Sequence, residues 1–510
     1  MKKRTKFGPF FTILNKYYIQ MDKLGVDLYQ KLYKILLGGE IQKIEVFLMT
    51  ISIILAAGEG TRMKSSKPKV LHNICGKPLL SYVIDASRCA KVENNIVIVG
   101  HGGEKVIDSI NDEDITFEKQ PIGEGVPYGT GFAVMQARNY IKDNSCVIIL
   151  YGDTPLISGN TLNELVEYHN SSDNACTVLT AEFEDPKGYG RIIRDEKGNI
   201  HSIVEEKDAT EEEKRIKEIN SGMYCFKGEY LKFALDRIDN KNAQGEYYIT
   251  DAVKIFKDEG LKVGAYKIED STEIFGINSR VQLAYAEKLM RKRINEKHMK
   301  NGVTLIDPES TYIGNDVKIG SDTIVYPGAI LEGNTVIGED CIIGHNTRIV
   351  NGKISNKVEI QISTILDSIV EDGTKVGPYA YLRPNSHIGK NVKIGDFVEV
   401  KNANIGDNSK ASHLSYIGDA DVGKNVNIGC GVVFVNYNGK TKSRTTVEDN
   451  AFIGSNSNLV APVVVKEWGY IAAGSTITDK VDRGHLAIAR ARQVCKADWV
   501  FKKDFTKDNK

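Results

Sequence analysis

The sequence carries no excess of either charge: 67 Lys and Arg balance 67 Asp and Glu across 510 residues. A chain whose main role is coating nucleic acid or an anionic membrane carries a basic surplus, so that class is excluded. Cysteine is sparse, eight in all, and no C-x-x-C pair occurs. This fits neither a disulfide scaffold nor a zinc ribbon, and the thiols are expected to be reduced ones in a cytoplasmic protein. No run of about 20 apolar residues exists, so no helix is expected to span a bilayer. The longest apolar stretch, Val46 to Ala57, is interrupted by Thr50 and Ser52. What is present is a globular composition, 41% hydrophobic and 26% charged, in a length that holds two to four domains of about 100–200 residues.

One segment stands apart. Residues 1–48 carry nine basic and four acidic groups, and Lys2, Lys3 and Arg4 precede a short apolar patch at Phe10, Phe11, Ile13 and Leu14. The patch has the outline of a signal peptide but no small-residue cleavage site. A cut after Ala56-Ala57-Gly58 would remove a loop of catalytic character. Residues 1–48 are therefore expected to form a helical arm, or to be an upstream extension with Met49 as the working first residue.

From Thr50 to about Phe275 short β-type runs alternate with helical stretches. Ile51–Leu55, Ile96–Val99 and Val147–Leu150 predict strands, and Leu79–Cys89 and Lys105–Ile110 predict helices. This order implies βαβ units and a mostly parallel, Rossmann-like α/β sheet over residues 49–277. Ligands bind beyond the carboxyl ends of such strands, where Leu55–Gly60 and Tyr151–Asp153 fall. Residues 278–301 predict a connecting helix, free of Gly and Pro from 279 to 300, with Val281, Ala284, Lys288 and Arg291 at helical spacing and Gly302 as a stop.

Beyond it, aliphatic-Gly pairs recur at Ile313, Ile319, Ile337, Ile343, Val376, Ile388, Ile394, Ile405, Ile417, Val422, Ile428 and Ile453. Their spacing falls mostly at or within one of a multiple of six, the signature of a parallel β-helix of hexapeptide repeats over residues 302–492. The aliphatic residue is expected inside, with the glycine permitting the tight corner. The longer gap before Ile453 predicts an inserted loop containing Asn436-Tyr437-Asn438-Gly439. A tail, 493–510, follows.

Two motifs carry chemistry. The first is Leu55-Ala-Ala-Gly-Glu-Gly-Thr-Arg-Met63, then Lys67-Pro-Lys69. It is no Walker loop, since no G-K-[ST] follows. A strand running into Gly58 and Gly60 nevertheless offers backbone N–H groups to an anion, and Arg62 and Lys69 add charge. The second is Tyr381-Leu-Arg-Pro384, Gly395-Asp-Phe-Val-Glu-Val-Lys401 and Ser409–Asp419. The His413 imidazole is suited to act as a general base near neutrality. Glu399, 14 residues earlier, is expected to orient the ring from a neighbouring coil, while Arg383 and Lys401 offer cations to a phosphate.

The first motif resembles that of the sugar-nucleotide pyrophosphorylases. With the hexapeptide half, residues 49–490 resemble the bacterial bifunctional N-acetylglucosamine-1-phosphate uridylyltransferase and glucosamine-1-phosphate N-acetyltransferase family. The resemblance implies a left-handed coil, a homotrimer, Mg²⁺, and UTP, acetyl-CoA, glucosamine-1-phosphate and N-acetylglucosamine-1-phosphate as the small molecules bound, with no nucleic acid and no membrane insertion. It places the uridine site on Leu55, Ala56, Ala57, Gly58, Lys69, Gln120, Gly129, Thr130, Tyr151, Gly152 and Asp153. The sugar side falls on Gly190, Glu205, Asn220 and Asn278, and the Mg²⁺ ligands on Asp153 and Asn278. In the acetyl half it makes His413 the base. Arg383, Lys401, Tyr416 and Asn427 become sugar-phosphate contacts, and Cys430, Asn436, Tyr437, Ser455, Ala473 and Arg490 acetyl-CoA contacts. The chain departs from the family at Phe132, where His is usual, at Cys430 and Val432, and in Ala489-Arg-Ala-Arg492.

Two other readings compete with a two-headed enzyme. A uridylyltransferase with the β-helix as mere scaffold would not need Arg383, Lys401, His413, Tyr416 and Asn436-Tyr437. A non-catalytic interaction protein would have no need of Arg62, Lys69, Asp153 and Asn278.

Overall fold

The computed structural model describes residues 49–503 apart from Asn111 and Ala243. Residues 1–48, the expected arm, and the last seven of the expected tail lie outside the described residues. Thr50–Ala56 (β1) is buried at every position, as a strand covered on both faces must be. The strands that follow are β2 (Asn94–Val99), β3 (Ile115–Lys119), β4 (Cys146–Tyr151), β5 (Cys176–Glu182), β6 (Gly190–Arg194), β7 (Ile200–Val204), β8 (Glu218–Lys227) and β9 (Val263–Lys267). They form one sheet in the order β9-β5-β8-β4-β1-β2-β3, with β6 paired to β8 and to β7. β8 is antiparallel to β4 and β5, while β1, β2, β3 and β4 run parallel, and β9 runs parallel to β5. Interleaved are α1 (Leu79–Cys89), α2 (Gly103–Ser109), α3 (Thr130–Gln136), α4 (Gly159–Ser172), α5 (Gly228–Leu235) and α6 (Asp251–Asp258). Leu55 pairs with Tyr151 across β1 and β4, so both expected loops leave the sheet at one edge.

The connecting helix, α7 (Arg280–Lys300), is capped by the Ser279 side chain. Its buried face is Ala286, Met290 and Ile294, four apart, not the line of Val281, Ala284, Lys288 and Arg291; Val281 is exposed. The three buried residues join Ile74, Leu79 and Leu156 on one side and the first coils on the other in one core. Asn295 Nδ2 donates to the Pro308 and Thr311 carbonyls at 2.7 and 3.0 Å. Arg293 bonds the Leu156 carbonyl. The helix therefore fixes the coils against the sheet domain.

From Thr304 to Ala487 the chain winds through three parallel sheets of 11, 10 and 9 short strands, the left-handed hexapeptide β-helix. Each coil returns above the last, so that Ile388 pairs with Ile405, and Ile405 with Val422. The aliphatic residues point inward as expected. Their glycines do not make the corners. Of the twelve, only Gly377 has φ in the left-handed region; those turns fall instead to residues such as Asn391, Asn408 and Asn425, whose short polar side chains tolerate that conformation. The glycines are needed because the next coil lies directly above: a Cβ on Gly395 would stand 1.9 Å from the Ser412 carbonyl oxygen. Gly395→Ala is accordingly expected to cost about 1–3 kcal/mol of β-helix stability, measured as a lower temperature for its calorimetric transition. An unchanged transition would show that the coils have room there.

Candidate active sites

A cleft of about 490 Å³ opens at the carboxyl edge of β1 and β4. Its lining includes Leu55, Ala56, Ala57, Gly58, Arg62, Lys69, Gln120, Gly129, Thr130, Tyr151, Asp153 and Asn278. Gly152 sits directly behind, its N–H donating to the Leu55 carbonyl at 2.9 Å. Gly60 adopts φ +68, and a side chain there would meet Lys69 Cβ at 2.9 Å; glycine lets the signature loop fold over Lys69. The Lys69 ammonium contacts the Asp153 carboxylate and donates to Asn278 Oδ1 at 3.0 Å. A backbone bond from Ile277 N to the Asp153 carbonyl, 3.0 Å, holds the two oxygen donors together. One carboxylate and one amide oxygen converging on a single cationic atom is a hard-donor set that fits Mg²⁺ completed by phosphate and water. Arg62 faces the same cleft with no carboxylate partner among the described residues.

The expected sugar residues form an adjoining layer. Gly190 pairs with Asn220 between β6 and β8, and the Glu205 carboxylate oxygens lie 3.4 Å from where a Gly190 Cβ would be. Burial pushes the Glu205 carboxyl above its usual range, opposed by a bond from Thr250. Asn220 is fixed by Gly222 N and the Tyr224 hydroxyl, both at 2.9 Å. The departure at Phe132 lies on α3, its ring 6.3 Å from that of Tyr247. Lys187, Tyr128 and Glu246 also line the cleft and carried no sequence signal.

At the opposite end of β4 and β8, Cys146 and Cys225 lie 3.0 Å apart beside His169. This is the one Cys, His or acidic group among the described residues compact enough to share an ion. Burial holds the Cys225 thiol well above its usual value and lowers His169 to about 4. With both groups neutral, the cluster packs as part of the core.

The second site lies along one corner of the β-helix. Asp396, His413, Cys430, Ser455 and Ala473 follow one another at equivalent positions of successive coils, tied by Leu414 N to the Asp396 carbonyl, Gly431 N to the Leu414 carbonyl, Asn456 N to the Cys430 carbonyl and Gly474 N to the Ser455 carbonyl, all at 2.7–2.8 Å. Arg490 closes the line, its Cδ 3.9 Å from the position of a Gly474 Cβ. His413 Nδ1 is 2.6 Å from Asp396 Oδ1, and that bond holds the Asp396 carboxyl below its usual range. The ring's orienting carboxylate is thus Asp396, not Glu399. Asp396 is in register with His413, whereas Glu399 is in register with Tyr416 and pairs with Arg383 at 2.8 Å. The register was legible: Ile388, Ile405 and Val422 recur every 17 residues, and 17 before His413 is Asp396.

On the adjoining face Arg383, Lys401 and Gly418 occupy successive coils. A side chain on Gly418 would strike the Tyr416 hydroxyl and Asn436; its absence leaves room beside the two cations. The inserted loop folds back through a Tyr437–Lys442 bridge, and Lys401 beside Lys442 holds that amine below the ordinary lysine range. Lys442 is a third cation the motifs did not reveal. Burial would raise the Asp419 carboxyl, but bonds from Asn402 and Asn436 keep it low, anchoring Asn436. Asn427 is not brought here. It stands on the sheet of Lys410 and Phe452, a different face from Tyr416.

Residues 51–272 match the nucleotidyl transferase family, and residues 310–351 and 367–402 match the bacterial transferase hexapeptide family. The chain is 59% identical over 453 residues to the bifunctional protein GlmU of Clostridioides difficile, covering 89% of this chain and 98% of the relative. It is 56% identical to that of Alkaliphilus metalliredigens, with the same coverage, and 54% identical to that of Acetivibrio thermocellus, covering 90% and 99%. With its nucleotidyl transferase cleft, its hexapeptide transferase coil and identity of this extent, the chain belongs to the GlmU family of bifunctional proteins.

Proposed function

We propose that the chain makes UDP-N-acetylglucosamine in two steps at two separate sites. The β-helix acetylates glucosamine-1-phosphate from acetyl-CoA, and the sheet domain then couples the product to UTP, releasing pyrophosphate. The observation that carries this is the presence, on one chain, of two different polar constellations: Lys69, Asp153 and Asn278 beside Arg62, and His413 on Asp396 beside Arg383 and Lys401.

In the acetyl step, His413 Nδ1 donates to the Asp396 carboxylate, which leaves the Nε2 lone pair free to take a proton from the sugar amine. The amine then attacks the thioester carbonyl, and coenzyme A leaves as the thiol. Arg383, Lys401 and Tyr416 hold the sugar phosphate, and Cys430, Asn436, Tyr437, Ser455, Ala473 and Arg490 hold acetyl-CoA. In the uridylyl step, the sugar phosphate oxygen attacks the α-phosphorus and needs no protein nucleophile, so the protein's part is alignment and charge neutralisation. Leu55–Gly58, Gln120, Gly129, Thr130 and Tyr151–Asp153 seat the uridine, Gly190, Glu205 and Asn220 the sugar, and Arg62 and Lys69 the phosphates. Asp153 and Asn278 would hold Mg²⁺, which when bound offsets charge on the phosphate oxygens.

We further infer a homotrimer. Tyr379 and Phe397 stack at 5.4 Å and 6°, and with Leu414 they form an apolar column more than half exposed, one residue on from Pro378, Asp396 and His413. Asn427, on another face, would then complete a neighbour's site. All eight cysteines are free thiols, which suits the cytoplasm, where UTP and acetyl-CoA are met. Among the described residues no helix is long and apolar enough to cross a membrane.

Chelating divalent metal with EDTA is expected to stop uridylyl transfer and leave acetyl transfer unchanged, with Mg²⁺ restoring the former. Pyrophosphate release from UTP and thiol release from acetyl-CoA, followed separately, check this. Uridylyl transfer that persists in EDTA would remove Mg²⁺ from the proposal, and absent thiol release would reduce the β-helix to a scaffold.

A further inference from the structure

We propose that Arg191 is the positioning residue of the sugar half of the uridylyl site, acting through its neighbours without touching substrate. The inference rests on the uridylyl function proposed above. Arg191 is 2% exposed, and its Nε is buried without a hydrogen-bond partner, so the charge is held through its two Nη atoms alone. Its guanidinium gathers three segments. It donates to the Tyr189 carbonyl, donates to the Lys214 carbonyl at 3.4 Å, and pairs with Glu206 Oε2 at 2.7 Å. Tyr189 lines the cleft, and Glu206 follows Glu205 directly.

The register makes this arrangement specific. Arg191 is paired with Val204 on β7 and with Ile219 on β8. Three of the four sugar-side residues are therefore immediate chain neighbours of Arg191 or of one of its partners: Gly190 of Arg191, Glu205 of Val204 and Glu206, Asn220 of Ile219; Asn278 stands apart. The Glu205 carboxylate rests against Gly190, so a shift of Glu206 moves it relative to the sugar. The loops assigned to uridine, Leu55–Gly58, Gln120 and Gly129–Thr130, belong to other elements and receive no bond from Arg191. Loss of the guanidinium should therefore loosen sugar binding and spare the nucleotide. A planar fork reaches all three acceptors together, which the single ammonium of a lysine does not.

An ion pair whose arginine is buried also serves the fold, and the test has to separate that role. Removing one partner strands the other charge, whereas replacing both with apolar residues of similar volume commonly preserves stability. The variants are Arg191→Met, Arg191→Lys and the double Arg191→Met/Glu206→Met, made in the full chain, with acetyl transfer and melting temperature as folding controls. In the double variant, melting and the KM for UTP are expected near wild type, while the KM for N-acetylglucosamine-1-phosphate rises on the order of tenfold to a hundredfold. Arg191→Lys should raise the same KM by less. Return of both melting temperature and sugar KM to wild type in the double variant would make the pair purely structural and overturn the proposal, as would both KM values rising in parallel. Failure of the wild-type chain to couple UTP would instead overturn the uridylyl function itself.

Discussion

Replacing His413 with alanine is expected to lower acetyl transfer by about 10³-fold, within the 10²–10⁴ that a positioned base contributes, while uridylyl transfer keeps its wild-type rate. The selectivity follows from the fold. His413 lies on a β-helix corner, more than half exposed, so its removal leaves no cavity in the core and no unpaired group inside it. Thiol release from acetyl-CoA with glucosamine-1-phosphate and no UTP measures the loss, and pyrophosphate release in the same preparation measures the control. Surviving acetyl transfer would place the base elsewhere, and parallel loss of both activities would mean the chain had misfolded. Two companion variants separate the neighbouring carboxylates. Asp396→Asn should lower the acetyl rate constant, because the neutral amide no longer stabilises the imidazolium and can turn its NH2 toward Nδ1, favouring the wrong tautomer. Glu399→Gln should act mainly on the KM for glucosamine-1-phosphate, because its partner is Arg383.

The contrast between these carboxylates shows where sequence reasoning stops. The nucleotide cleft was legible because its parts are local loops at strand ends, and one rule about parallel sheets brings Leu55–Gly58 and Tyr151–Asp153 to a common edge. In the β-helix the identity of the partner depends on coil length, which is 16 residues between Lys353 and Ile369, 18 between Ile369 and His387 and 25 between Asn427 and Phe452. A miscount of three moves a carboxylate onto the next face, which is the distance between Glu399 and Asp396. The same dependence hides Asn427, whose type fits a sugar site but whose sheet faces away from Tyr416. The Ile-Gly glycines revealed the repeat but not their reason: the constraint is the coil above, and a positive φ is supplied by Asn and Asp instead. Lys442 lay beyond any motif, and Arg191, though it ends the Gly188-Tyr-Gly-Arg191 run, carried no role of its own, because each acquires its meaning from a contact far along the chain, Lys442 with Lys401 and Arg191 with Glu206 and Lys214. Helix α7 was legible as an element, while its buried face was set by two domains packing on it from opposite sides.

In the other site, Lys69→Ala is expected to lower uridylyl transfer by about 10²–10³-fold, the usual consequence of losing one preorganised group at developing charge, with acetyl transfer unaffected. Without substrate, the Lys69 ammonium, the Asp153 carboxylate and the Asn278 amide satisfy one another, and the Lys69 and Asp153 side chains are only 14% and 15% exposed. The ammonium therefore need not be desolvated when the triphosphate arrives, which is what preorganisation means physically. Lys69→Ala/Asp153→Asn should recover neither the affinity for UTP nor the rate constant, since the second change also removes a carboxylate that would hold Mg²⁺. Lys69→Arg should not rescue either quantity, since a guanidinium fork is broader than the space between Asp153 and Asn278. If arginine did restore the rate, charge alone would suffice at this position, and the close three-way contact would be incidental to catalysis.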